Sequence, residues 1–86
     1  MINITIHNED IHDAFVSAVD NQQPGNPTVF NQRLNHDQTS GPIGVQEDGN
    51  GKFSITTTAT DAGDPSRTKT EAKTGGSGDI VNVKCD

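Results

Sequence analysis

The sequence predicts an α+β domain. One amphipathic helix, over about residues 9–21, packs on one face of a mostly antiparallel twisted sheet, in the chain order β-α-β-β-β-β-β. Three observations predict it. Ile2, Ile4 and Ile6 alternate with Asn3, Thr5 and His7, which is strand spacing. Ile11, Ala14, Phe15, Ala18 and Val19 recur at the spacing of one helical face. Asp48-Gly49-Asn50-Gly51 stands between two alternating apolar runs, as a hairpin turn does.

Taken in order, the first strand covers residues 2–7 and buries its isoleucine face. Asn8 suits a helix N-cap, since its side chain accepts from a free amide of the first turn. Glu9 and Asp10 place negative charge where the helix dipole favours it. Asn21-Gln22-Gln23-Pro24-Gly25 then ends the helix. A strand opens at Thr28 and runs toward Leu34, with Phe30 and Leu34 on the core face. Residues 36–42 form a polar loop.

Residues 43–60 read as a hairpin. A three-residue loop at 49–51 pairs Val45 with Ile55 and Ile43 with Thr57, keeping the apolar residues together. That register puts Gly51 in the left-handed conformation. After a loop at 61–66, residues 67–74 alternate charged and small side chains. Facing Thr60 with Arg67 pairs Ala59 with Thr68, Thr57 with Thr70 and Ile55 with Ala72, so the small-residue faces coincide. A glycine-rich loop follows, and Ile80, Val81 and Val83 make the last strand, with Ile80 off the Val81/Val83 face. The whole is one small domain, 1–86, with 61–66 and 74–79 as flexible loops.

Composition limits the function. Leu, Ile, Val and Phe number seventeen in 86 residues, so the core is thin. The formal charge is −6, the cations are scattered, and there is no Trp or Tyr. Phosphate clamps and base-stacking platforms are therefore poorly supplied, and no nucleic-acid partner is expected. No stretch is long and apolar enough for a membrane span, so no membrane partner is expected; with no signal peptide visible the default compartment is cytoplasmic, with a secreted or surface module as the alternative. Cys85 is the lone cysteine, so no disulfide forms within one chain. It reads as a free thiol near a frayed end, with a covalent dimer as the alternative.

Site chemistry is sparse. His7, His12 and His36 lack the spacing of a metal site, and no cofactor is expected. Gly75-Gly76-Ser77-Gly78-Asp79 is one near miss to a calcium-binding repeat, in a single copy. No serine or cysteine stands in a nucleophile context, and a chain this short hardly encloses a pocket, so no enzymatic activity is expected.

What remains is a polar sheet face on which Thr56, Thr58 and Thr60 stand beside Arg67, Lys69 and Lys73. The expected function is a small non-enzymatic binding or accessory protein, contacting a protein partner through that Thr/Arg/Lys face or through a sheet edge. The alternative is a structural homo-oligomer that completes its core by self-association.

Overall fold

Residues 9–21 form no helix. The computed structural model describes residues 1–86 as seven strands. They are β1 (Ile2–Asn8), β2 (Ala14–Asp20), β3 (Thr28–Leu34), β4 (Ile43–Val45), β5 (Phe53–Asp61), β6 (Thr68–Gly75) and β7 (Ile80–Val83). The expected α+β class is therefore corrected to all-β.

The helical reading fails for a physical reason. Ala14 and Ala18 fit both periods, but Val16 fits only the strand. Ala14, Val16, Ala18 and Asp20 are buried, while Ile11 and Phe15, read as helix core, are 77% and 52% exposed. Of the thirteen residues 9–21 only Glu9, Ala14 and Ala18 are strong helix formers, and a helix of this length is marginal on so few. The polar residues before it also take another route. The Asn8 side-chain oxygen accepts from the Asp10 amide at 3.0 Å, and Asp10 Oδ1 accepts from the His12 amide at 2.9 Å. These are successive Asx turns, the local alternative to an N-cap.

The strands form two sheets, a narrow one ordered β4-β1-β7 and a wide one ordered β3-β2-β5-β6. β1 is shared along its length. Ile2 to Ile4 pair antiparallel with β4, and Thr5 to Asn8 pair parallel with β7. Fifteen buried residues form one cluster between the sheets. The narrow sheet supplies Ile4, Ile6, Ile43, Val45, Val81 and Val83, and the wide sheet supplies Val16, Phe30, Leu34, Phe53, Ile55 and three alanines. Alternation along each strand divides core from solvent, as in a two-sheet sandwich.

The 48–51 turn is present, but the hairpin it was expected to start is not. The Asp48 amide donates to the Lys52 carbonyl, the Gly51 amide to the Asp48 carbonyl, and Gly51 has φ +76°. A single bridge, Glu47 to Phe53, keeps the expected register. Beyond it the strands part, because the buried Asp20 carboxylate accepts from the Gln46 amide at 2.8 Å. β4 then joins β1 in the opposite sheet, where its Ile43 and Val45 are buried in the common core and the strand lies against β3.

The β5–β6 register is also one residue away from the expected one. Thr60 pairs with Thr68, Ala59 with Lys69, Thr57 with Glu71 and Ile55 with Lys73. Loop closure sets this: the Asp61 amide donates to the Arg67 carbonyl, and the two side chains form an ion pair at 2.6 Å. A one-residue shift turns every side chain over. Lys69, Glu71 and Lys73 therefore point to the inner side of the wide sheet.

Neither loop read as flexible is without internal bonds. Asp61 accepts from the Gly63 amide and Asp64 from Ser66. The Gly76 amide donates to Asp79, and the Gly78 amide donates to the Asn3 carbonyl. Gly75 is required by packing, since a Cβ there would lie 2.9 Å from the Phe53 ring.

Candidate functional site

The structure separates the six residues expected to share one face. Thr56, Thr58 and Thr60 stand on the outer face of the wide sheet, half-buried, with Thr68, Thr70 and Thr74 beside them. Their hydroxyls bond to one another: Thr58 Oγ1 to Thr70 Oγ1 at 3.1 Å, and Thr68 Oγ1 to Thr60 Oγ1 at 3.2 Å. Phe15 and Arg33 continue the same face on β2 and β3, with the guanidinium 5.8 Å from the ring centroid. This is a hydroxyl-lined surface without Lys69 or Lys73.

Arg67, Lys69 and Lys73 lie on the inner side, where the two sheets differ in width. β4 lies against β3 at one side of the sandwich. Three strands then cover β3, β2 and β5, and β6 has none above it. None of its residues is buried, although half of them face inward. Glu71 sits between the two lysines, 3.9 Å from Lys69 Nζ and 3.4 Å from Lys73 Nζ. Inward-pointing charge of this kind keeps a sheet edge from pairing indiscriminately. Lys52 lies near Gly76 at the end of β6, and Lys84 follows β7 directly.

At the other end of this open side Arg67 binds three carboxylates. Its Nη1 donates to Asp61 Oδ2 at 2.6 Å, its Nη2 donates to Asp86 Oδ2 at 2.9 Å, and Asp10 Oδ2 lies 3.6 Å away. Asp10 and Asp61 are buried. Burial works against ionisation of Asp10, but amide donors from Cys85 and His12, with the charge of Arg67, hold its carboxyl below the usual carboxylate range. The carboxylates converge on a guanidinium, not on a vacant centre.

Cys85 corrects the expectation of a frayed end. Its side chain is 1% exposed and belongs to the core, and its amide donates to Asp10 Oδ2 at 3.0 Å. Burial, reinforced by the charges of Asp10 and Asp61, pushes the thiol up to about 11. A protonated, enclosed thiol neither alkylates nor bridges two chains readily. Iodoacetamide at neutral pH is expected to leave the folded protein unmodified and to add one label per chain in denaturant, read by mass. Labelling of the folded protein at the rate of a free thiol would refute this placement.

Compared with protein-family profiles, curated proteins and solved structures, the chain matches none. No helix is long and apolar enough to cross a membrane. Two open depressions stand near the Arg67 cluster, about 240 and 280 Å³, each with one apolar residue in its lining. Ligand pockets are mostly apolar and usually larger. The histidines do not converge. His7 joins Thr39 Oγ1 at 2.8 Å and Asp37 Oδ1 at 3.0 Å, and so fastens the 36–40 loop to β1. His36 Nδ1 lies 2.7 Å from the Asp10 carbonyl, and His12 is exposed.

Sequence reasoning missed two features of this side, the free edge of β7 and the carboxylates around Arg67. The alternation of residues 67–73 signals a strand but not which face turns inward. Asp10, Asp61 and Asp86 lie too far apart in the chain for any spacing to join them.

Proposed function

We propose that this chain is a small binding module that holds a protein partner at the open side of its sandwich, along β6 and β7. One observation supports the reading. Four lysines, Lys52, Lys69, Lys73 and Lys84, stand on that side, where Asp10, Asp61 and Asp86 already occupy Arg67 and a single carboxylate, Glu71, lies between Lys69 and Lys73. They surround an inner sheet face that no strand covers. Two lysines that share one carboxylate favour an acidic partner laid across them. The fifteen residues of the core lie between the two sheets of one chain, which favours a partner of another kind over a second copy.

Photo-crosslinking residues at positions 71 and 82, with a control at position 31 on the outer face, test the reading in cell extract. The expected result is one adduct of defined mass from 71 and 82, lost in high salt and lost when Lys69 and Lys73 are both replaced by Glu. Adducts from position 31 alone, adducts indifferent to charge reversal, or no adduct at all overturn it.

A further inference from the structure

Resting on the open side as the partner surface, we infer that the partner enters as an extended strand added to β7, with carboxylates on alternate residues turned toward Lys69 and Lys73. The free edge of β7 follows from its ladder. The Thr5 amide donates to the Asp79 carbonyl and the Glu9 amide to the Val83 carbonyl. In a parallel pair these bonds fix the phase, so residues 79, 81 and 83 bond toward β1. The main-chain groups of Ile80, Asn82 and Lys84 point the other way, and their amides have no partner.

β6 has a free edge too, but the two edges differ in what they offer. The Asp61 amide bonded to the Arg67 carbonyl turns the main chain of Thr68, Thr70, Ala72 and Thr74 outward. A strand added there would face no second sheet. A strand added to β7 lies above the inner face of β6. It gains a backbone ladder and a side-chain layer together, the combination that gives β-augmentation both affinity and specificity.

That layer decides the partner's chemistry. Covering Lys69 and Lys73 with apolar side chains would strand two ammonium groups that share one carboxylate, Glu71. Covering them with acidic side chains supplies the missing partners. The chain already uses this chemistry once. Asp86, just past β7, places its carboxylate 2.9 Å from Arg67 Nη2 and its main-chain oxygen 3.4 Å from Lys69 Nζ. On the outer face Ile80 is 62% exposed at the β7 edge, so the strand's outward residues are apolar.

The probe is a capped seven-residue peptide of alternating Val and Glu, titrated into the full ¹⁵N-labelled chain. Its control alternates Val and Lys. Amide shifts and slowed hydrogen exchange are expected at Ile80, Asn82 and Lys84, with binding at least tenfold weaker for the Lys peptide. Replacing Lys69 and Lys73 by Glu should reverse that preference. Asn82→Pro removes one outward donor without touching the β1 ladder, and should abolish binding while the far-UV spectrum is kept. Shifts at Thr68, Thr70 and Ala72 instead would overturn the β7 assignment and leave the open-side reading standing. Shifts at Thr58 and Asn31 would overturn both. Equal binding of the two peptides, or binding of neither, overturns the acidic strand whatever the crosslinking shows. A free chain that is already dimeric, with exchange protection at Ile80, Asn82 and Lys84, makes the occupant a second copy and equally overturns it.

Discussion

Asp10→Ala is expected to destabilise the fold by about 2–4 kcal/mol, because it removes the acceptor from two enclosed amides at once. Asp10 Oδ2 holds the Cys85 amide at 3.0 Å and Oδ1 holds the His12 amide at 2.9 Å. The same carboxylate faces Arg67, whose remaining partners are Asp61 and Asp86. For a domain of this size the loss corresponds to a drop in Tm of roughly 10–20 °C. Asp10→Asn keeps the shape but turns one of the two acceptor oxygens into a donor facing the His12 or Cys85 amide, so it removes the charge and one acceptor together. The pH dependence has a definite sign. The Asp10 carboxyl sits below its ordinary value of 3.8 in the folded state. Its contribution is therefore complete above that value and fades as pH falls through the lowered one. The stability gap between the native protein and Asp10→Asn should narrow in acid below about pH 4. A gap that widens there, measured by denaturant titration, would contradict the assignment.

Phe53→Ala should cost about 3–5 kcal/mol, the usual range for emptying an aromatic site in a core. Phe53 is the largest fully buried side chain, 1% exposed, and its ring rests on Gly75. It also stands where the 48–51 turn enters the wide sheet. In a thin core nothing nearby is large enough to refill the space. Phe15→Ala is the paired control. Phe15 is half-exposed and touches Arg33 from outside, so its loss should stay within about 1 kcal/mol. Near-equal losses at the two positions would mean that Phe15 lies in the interior, as on a helix, and would overturn the strand reading of residues 14–20.

That pair also marks what was legible in the sequence. Ile4 and Ile6 lie inward, Phe30 and Leu34 are buried, Gly51 is left-handed, and Ile80 stands off the face of Val81 and Val83. Each follows from a local pattern with one physical solution. Residues 14–20 admitted two, because alanines four apart satisfy helix and strand alike, and only the partner strands β3 and β5 decide between them. The departure of β4 from β5 was out of reach as well. It depends on Asp20 capturing the amide of Gln46, a contact made across the fold. The candidate surface was legible in its residue types and not in its sides. The charges of residues 69–73 face inward because the Asp61–Arg67 closure sets the register, and the face tolerates them because β6 lies beyond the reach of the narrow sheet; no local pattern reports either.

The parallel pairing of β1 with β7 carries a consequence for biosynthesis. Ile4 and Ile6 leave the ribosome well before the strand that completes their sheet, which is made some seventy-five residues later. Such separation gives a high contact order, and domains built this way fold slowly, in milliseconds to seconds. Until Val81 and Val83 arrive, the nascent chain carries an isoleucine-rich strand with one side unpaired, the condition under which strands are most prone to aggregate. Chaperones that shield extended apolar segments during translation should therefore matter more to the yield of this protein than to its stability once complete.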